Sequence, residues 1–292
     1  MESHDVLARL KGNLETAAKR LDTVEEQRKL CASMLAEEIC AREGSMSKLF
    51  SLFCKTADTP SELDKAMFCR AYFSHHAKES ALRPEELFGL NETPTAGSHG
   101  KVAFVRNRYN ERAYEQFSNL LIGARAYHVA EFSEACDLVY NGQCSYCILP
   151  IESGTGGRLE SFYAMMDRYD LKICATTEID GEDATDSVRY ALAGRSLPRA
   201  MSKKQLCTLE FSLTREDGSH LTTLLCAAER LGARLQRMDF IPLEYDRSFY
   251  RAFITLRIPA EDAPTLGLYL SLCYPNYTPI GFYTIPSQER SS

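Results

Sequence analysis

Residues able to do chemistry follow an apolar run near the middle of the chain. Residues 144–150 read as a buried strand, and the segment Pro150 to Arg158 comes directly after it. Ligands on sheets of alternating strands and helices bind at the carboxyl ends of the strands. The charged residues of this segment are Glu152 and Arg158. The sequence therefore indicates a candidate site in this segment.

Other candidate groups predict structure rather than chemistry. Cys144 and Cys147 form a CxxC pair, but residues three apart in a strand point to opposite faces, so we expect a structural role. His75 and His76 are adjacent on a predicted helix, which is wrong for shared metal ligation. The eleven cysteines are scattered and odd in number, so no disulfide framework is expected. No Walker loop, Gly-x-Gly-x-x-Gly or His-Glu-x-x-His motif occurs, and we expect no cofactor and no metal.

Helical periodicity covers the first part of the chain. Apolar residues recur at three- and four-residue steps from Leu7 to Val24, which predicts a long amphipathic helix over about 6–41. Shorter helices follow over 46–55 and up to about residue 79, the latter with Thr59 as its N-cap. Residues 84–100 are rich in Pro, Gly, Ser, Thr and Asn, which is a linker composition. We therefore predict a helical segment over 1–83 and a linker over 84–100.

From Lys101 onward, predicted strands alternate with helices. Residues 101–200 predict a single α/β lobe with a mainly parallel sheet. Residues 205–287 predict the order βαββαβ, which is a ferredoxin-like domain. The predicted fold class is therefore a multidomain α+β and α/β protein: an all-helical segment, an α/β lobe and a ferredoxin-like domain, in that order.

Three stretches of the chain resemble one known family. Residues 131–152, Gly156-Gly157 and 169–173 resemble prephenate dehydratase, in which a Pro-Ile-Glu-Asn-Ser-x-x-Gly-Ser loop precedes a Tyr-Asp-Leu-x-Ile strand. Residues 205–287 resemble the ACT domain that follows the dehydratase and binds phenylalanine. Leu10-Lys11, Leu14-Glu15 and residues 26–30 resemble the first helix of the all-helical chorismate mutases. Together they resemble the fused chorismate mutase/prephenate dehydratase, which makes phenylpyruvate for L-phenylalanine biosynthesis.

The resemblance implies a prephenate site with two departures from the family. The site residues it implies are Arg189, Glu152, Ser153, Gly157 and Arg158. The family's catalytic threonine position holds Val188, which has no hydroxyl and cannot donate a proton to the departing group. The strand that carries Arg189 also follows the preceding strand after only a few residues. We therefore expect half of the dehydratase domain, without the second lobe.

The mutase-like segment offers few of the cations that the family uses. The resemblance implies that Lys11 and Arg28 grip chorismate, because this rearrangement needs electrostatic stabilisation rather than an acid or base. Ser74 matches a polar position on the third helix, and Arg42-Glu43 could replace the family's Arg-Glu pair if the intervening loop were deleted. The alternative is that Lys11 and Arg28 are solvated charges on an amphipathic helix.

The ACT-like segment keeps part of the family's effector loop. The resemblance implies an effector site at Gly218, Ser219, His220, Leu221 and Asp239. The arginine of the family motif is absent, and Phe240 and Ile241 make the patch more apolar. Either a phenylalanine-like effector of a different kind binds there, or the surface is a plain dimer contact.

The charge and composition of the chain disfavour some classes of partner, and three functions remain possible. The 292 residues carry a net charge of −6, which disfavours nucleic acid and anionic lipid. No apolar run is long enough to span a membrane and no signal-peptide pattern occurs, so we expect a cytoplasmic protein that forms a homodimer or higher homo-oligomer. It is either an enzyme acting on chorismate or prephenate, a noncatalytic sensor of an aromatic amino acid or carboxylate, or an assembly protein.

Overall fold

The computed structural model describes most of the chain. The described residues are 2–76, 100–121, 123–153, 157–158, 160–181, 187–195, 206–214, 221–242 and 250–284. The chain divides into two compact units, Met1–Ala81 and Leu82–Ser292. Each unit has its own core and is described by itself.

The described residues of the first unit, 2–76, contain three helices. They are α1 (Glu2–Cys40), α2 (Met46–Ala57) and α3 (Glu62–His76). Its core forms where the last turns of α1 meet the other two helices, around the fully buried ring of Phe68. The Phe68 ring lies 5.3 Å from that of Phe50 and 5.2 Å from that of Phe53, centroid to centroid. Residues 10–28 of α1 are exposed around the whole helix. Among the residues of α1 whose side chains the structure describes, packing within this unit therefore involves the C-terminal part of the helix.

The start of α3 differs from the expectation. Ser61, not Thr59, is the N-cap: its Oγ accepts from the backbone N–H of Asp64 at 3.3 Å, and its own N–H donates to the Asp64 carboxylate at 2.8 Å. This reciprocal pair is a capping box with an aspartate at the third position. Thr59 has φ +59°, a left-handed conformation that an N-cap does not adopt, so the helix begins two residues later.

The second unit contains ten strands and five helices in the described part of the chain. The strands are β1 (Lys101–Val105), β2 (Arg125–Val129), β3 (Tyr146–Ser153), β4 (Gly157–Arg158), β5 (Lys172–Ile179), β6 (Val188–Gly194), β7 (Leu206–Thr214), β8 (Arg234–Pro242), β9 (Tyr250–Pro259) and β10 (Thr278–Thr284). The helices are α4 (Arg108–Ser118), α5 (Phe132–Tyr140), α6 (Glu160–Arg168), α7 (Leu221–Arg230) and α8 (Ala263–Cys273).

All ten strands belong to one mixed sheet. Nine of them lie in the order β2-β1-β3-β6-β5-β10-β7-β9-β8, and β4 pairs with β3. Strand β1 is parallel to β2 and β3, but β6 is antiparallel to both β3 and β5. The expectation of a mainly parallel sheet is therefore wrong at β6. Residues 180–187 alone join β5 to β6, and this is too short for the crossover that parallel pairing requires.

Strand β10 joins the two halves of the sheet. It is parallel to β5, where Gly281 pairs with Ile173, and antiparallel to β7. A Cβ atom on Gly281 would lie 2.8 Å from the Ile173 Cβ, so a glycine permits this close approach. The four strands after residue 205 lie in the order β10-β7-β9-β8, which is the antiparallel order of a βαββαβ unit. The division into a lobe over 101–200 and a domain over 205–287 stays a prediction.

Both halves of the sheet contribute to one core on the face that carries α5 and α6. Phe162 and Tyr163 of α6 are buried there with Phe253 of β9, and the Tyr163 and Phe253 rings are 4.0 Å apart, centroid to centroid. At the edge of this contact Arg251 donates to the Asp167 carboxylate at 2.7 Å. Residues far apart in sequence therefore meet on this face of the sheet.

Candidate functional site

A β-bulge in β3 sets the direction of the Glu152 side chain. Pro150 pairs with Tyr190, and the next pair is Glu152 with Arg189, so Ile151 is an extra residue in the ladder. Such a bulge turns the side chain that follows it. Directly paired residues of antiparallel strands share a face, so Glu152 lies on the same face as Arg189. The Arg189 Nη1 donates to the Glu152 Oε1 at 3.4 Å.

Arg189 is a half-buried cation surrounded by oxygen atoms. Its Nη2 donates to the Thr176 Oγ1 at 3.4 Å and to the Tyr283 hydroxyl at 3.2 Å. Only 23% of its side chain is exposed. Burial disfavours the charged guanidinium, but Tyr283, Glu210 and Glu152 outweigh this effect and raise the pKa of Arg189 above its usual value. Arg189 therefore stays positively charged at every physiological pH.

A second arginine reaches Glu152 from the opposite end of the sheet. Arg237 on β8 donates through Nη1 to the Glu152 Oε2 at 2.6 Å, and through Nε to the Asp239 Oδ1 at 3.0 Å. Strands β3 and β8 are not neighbours in the sheet order, so the sheet must curve to bring them together. Glu152 thus bridges two guanidinium groups.

A buried acid completes the network. The Tyr283 hydroxyl donates to the carboxylate of Glu210 on β7, and both side chains are almost fully buried. Asp239 and Glu210 offset the two arginines that bracket Glu152. The site therefore combines two guanidinium groups, three carboxylates and two hydroxyls, the kinds of group that form charge-assisted hydrogen bonds with a polar ligand.

Of the residues predicted to bind prephenate, the structure brings some together, and the side chains of others lie outside the described residues. The structure brings Glu152 and Arg189 together, as described above. Val188 pairs with Ser153 and Ile179, and the alternation of side chains along β6 directs it away from Arg189. The backbones of Gly157 and Arg158 form β4, while the side chains of Ser153 and Arg158 lie outside the described part of the structure.

The residues predicted for chorismate are not brought together in the first unit. Lys11 pairs with Glu15 at 4.0 Å and Arg28 with Asp64 at 2.9 Å. Seventeen residues of helix separate Lys11 from Arg28, a rise of about 25 Å. Ser74 is exposed on α3, and Arg42, two residues past the end of α1, pairs with Glu38 of that helix. Their role in binding chorismate stays a prediction.

The residues predicted for an effector lie in two places. Gly218, Ser219 and His220 are outside the described residues, and Leu221 is half-buried at the start of α7. Asp239 lies instead in the network around Glu152, through its ion pair with Arg237. Arg237 therefore contacts one residue from each of two predicted sites, Glu152 of the prephenate site and Asp239 of the effector site.

Four residues of this network were not among the candidates that the sequence indicates. They are Thr176, Glu210, Arg237 and Tyr283. Glu210, Arg237 and Tyr283 lie on strands that reach the site only through long-range pairing, and Thr176 lies on β5, beside the strand that carries Arg189. No local motif marks any of the four. A signal existed for β10, because a glycine within a strand, here Gly281, often marks a close backbone approach.

The described residues show no metal site and no membrane span. No group of three or more His, Cys, Asp or Glu side chains among them is arranged to hold a metal ion. His75 instead contacts Glu37 at 2.6 Å, and His76 contacts the carbonyl of Cys40 at 2.9 Å. None of the helices in the described ranges is long and apolar enough to cross a membrane.

Comparison with known proteins identifies the fold. The chain is similar to the X-ray structure of prephenate dehydratase from Streptococcus mutans, with a TM-score of 0.53 and 15% identity over 64% of this chain and 98% of that one. It is also similar to GqqA, described as a novel type of quorum quenching acylase, with a TM-score of 0.51 and 18% identity over 67% of this chain and 100% of that one. At these identities the likeness shows the fold alone.

A further solved structure is also similar to this chain. A prephenate dehydratase from Arthrobacter aurescens in complex with L-Phe has a TM-score of 0.49 and 15% identity, over 63% of this chain and 90% of that one. No family model matches the sequence, and no curated protein matches it. The chain therefore has the mixed α/β fold of prephenate dehydratase structures, a fold that the acylase shares.

Proposed function

We propose that this protein binds a small aromatic carboxylate at Arg189 and acts as a noncatalytic sensor derived from the chorismate mutase/prephenate dehydratase family. Arg189 carries the proposal. It is a half-buried cation whose three contacts to described residues measure 3.2–3.4 Å, longer than the 2.7–2.9 Å usual for charge-assisted hydrogen bonds. A ligand carboxylate could replace these weak contacts with shorter ones.

Two observations favour binding over dehydration. Val188 has no hydroxyl and stands where the family has its catalytic threonine. Residues 180–187 are the whole connection between β5 and β6, so the second lobe expected to close over prephenate has no chain to form it there. The site therefore keeps a cation that can bind the substrate's carboxylate but lacks the family's proton donor.

The test is thermal unfolding with prephenate, phenylpyruvate and L-phenylalanine as separate probes. A ligand at 100 times its Kd raises the free energy of unfolding by about 2.7 kcal/mol. For a unit of about 200 residues each kcal/mol raises Tm by about 2–4 °C, so we expect a rise of about 5–10 °C. Arg189→Gln should abolish this rise, and the matched control Arg195→Gln, an exposed arginine beyond the same strand, should retain it. No rise with any probe would refute the proposal.

A second candidate function is dehydration of prephenate with a different proton source. The Tyr283 hydroxyl lies 3.2 Å from the Arg189 Nη2 and is bonded to Glu210, so it could supply the proton that leaves with the substrate's hydroxyl as water. Phenylpyruvate formation from prephenate would establish this function. Loss of that activity in Tyr283→Phe, with the Tm rise retained, would assign the proton to Tyr283.

Chorismate mutase activity of the first unit is a separate proposal. It rests on Lys11 and Arg28, which need further cations from elsewhere to enclose chorismate. Chorismate loss should be measured for the full chain and for Arg28→Gln. Activity that Arg28→Gln leaves unchanged would assign Arg28 to its ion pair with Asp64 alone.

A homodimer is proposed through α1. Leu10, Leu14, Leu21 and Val24 form a stripe along this helix and are 58–74% exposed among the described residues of the unit. Their spacings of four, seven and three residues are those of a coiled-coil seam. Light scattering after gel filtration should show a dimer that Leu14→Asp dissociates. The control Thr23→Asp adds the same charge on the opposite side of α1 and should leave the dimer intact.

A further inference from the structure

The two arginines that bracket Glu152 hold it unequally. The Arg237 Nη1 is 2.6 Å from the Glu152 Oε2, while the Arg189 Nη1 is 3.4 Å from the Glu152 Oε1. A distance of 2.6 Å is typical of a strong charge-assisted hydrogen bond, and 3.4 Å is near the limit of any hydrogen bond. Glu152 is therefore bonded mainly to Arg237, although Arg189 is its direct partner in the β3–β6 ladder.

Arg237 is itself fixed in the direction of Glu152. Asp239 is two residues further along β8, and residues two apart in a strand share a face. The Asp239 carboxylate accepts from the Arg237 Nε at 3.0 Å, which leaves the Nη1 for Glu152. A planar guanidinium held at one edge has few orientations for its other edge.

We propose that Arg237 is a positioning residue for the carboxylate site. It draws Glu152 away from Arg189, so that the N–H groups of Arg189 remain able to bind an anionic ligand. Without Arg237, the Glu152 carboxylate turns to Arg189, forms the two-bond pair that carboxylates and guanidinium groups prefer, and neutralises the ligand-binding cation. This inference rests on the proposed function, since it assumes that Arg189 holds the ligand.

A positioning role for Arg237 predicts a rescue of binding that the loss of its positive charge alone does not. Arg237→Ala should weaken phenylpyruvate binding about tenfold or more, the range of one charge-assisted hydrogen bond. Glu152→Gln/Arg237→Ala should restore most of the affinity, because the neutral amide no longer competes for Arg189. A structural role for Arg237 would give no such rescue.

The experiment is isothermal titration of the full chain with phenylpyruvate. The variants are Arg237→Ala, Arg237→Lys, Glu152→Gln and the double variant, and the control is Arg234→Ala, an exposed arginine on the same strand. Arg237→Lys should bind with intermediate affinity, because an ammonium cannot hold Asp239 and Glu152 as a fork does. If Arg237→Ala does not fold, the affinities of Arg237→Lys and Glu152→Gln still test whether Arg237 positions Glu152.

The outcomes separate this inference from the function on which it rests. Wild-type binding that Arg237→Ala leaves unchanged overturns the role of Arg237 and leaves the carboxylate site standing. Weakened binding that the double variant does not restore also overturns it, since Arg237 then acts through folding or by touching the ligand. Failure of the wild-type protein to bind phenylpyruvate, prephenate and L-phenylalanine, each titrated separately, overturns both proposals.

Discussion

Substitution of Gly281 by alanine should weaken the junction between the two halves of the sheet. The added Cβ would lie 2.8 Å from the Ile173 Cβ and 3.1 Å from the Ile173 carbonyl oxygen. Both are atoms of the main chain or directly attached to it, so no rotation of a side chain relieves the contact. Truncation of Ile173 to alanine would not relieve it either, because the Cβ remains.

The magnitude follows from the cost of overpacking. Extra methyl groups in a packed interior cost about 1–3 kcal/mol, and relief here requires β10 to shift against β5. For a unit of about 200 residues this lowers Tm by about 2–4 °C per kcal/mol. Tyr283 lies two residues beyond Gly281 and contacts Arg189, so the ligand-induced rise in Tm should shrink as well.

Urea unfolding followed by circular dichroism measures this effect. Gly12→Ala is the control, because a Cβ there has nothing within 4 Å and Gly12 lies inside α1. Alanine in an exposed helix interior stabilises by about 0.5–1 kcal/mol relative to glycine, so the control should change with the opposite sign. A free energy of unfolding for Gly281→Ala within about 0.5 kcal/mol of wild type would refute the close packing at the junction.

Three further predictions concern stability and thiol reactivity. Asp64→Ala removes the acceptor of the Ser61 N–H and hydroxyl and should lower the free energy of unfolding of the first unit by about 1–2 kcal/mol. The control Glu38→Gln, in an exposed ion pair, should change it little. Equal effects of the two substitutions would contradict the capping box. Burial raises the pKa of Tyr146 and Tyr190 to about 12, so the unfolded chain loses these protons first and the free energy of unfolding should fall between pH 10 and pH 12; urea unfolding that gives the same free energy across this range would contradict it. Iodoacetamide at pH 8 should react first with the exposed thiols, and mass spectrometry should find the label on Cys31 and Cys226.

The sequence predicted the order and type of the helices and strands well. Strands β3 and β5 read as apolar runs bounded by turn residues, and such local patterns are sufficient to place them. The mixed character of the sheet was missed, because a parallel or antiparallel neighbour depends on the length of the connection rather than on the strand itself. The Thr59-Pro60-Ser61 run predicts the cap of α3 at Thr59, because proline favours the first helical position, but the helix is capped two residues later, at Ser61.

The candidate site was predicted in part. Glu152 and Arg189 carry a recognisable motif, and the structure brings them together. Arg237 and Tyr283 lie 85 and 94 residues from the partners they contact in the network. Those contacts depend on the curvature of the sheet and on the β5–β10 junction, and neither leaves a periodic pattern in the sequence.

The junction also bears on the order of folding. Gly281 and Ile173 are more than a hundred residues apart, whereas β5 and β6, or β8 and β9, pair through short connections. Contacts between distant residues form slowly, because the intervening chain must lose conformational entropy before the contacts can stabilise the structure. We expect each half of the sheet to assemble early and the docking of β10 on β5 to be the slow step of refolding. The amide protons at this junction should gain protection from hydrogen exchange last.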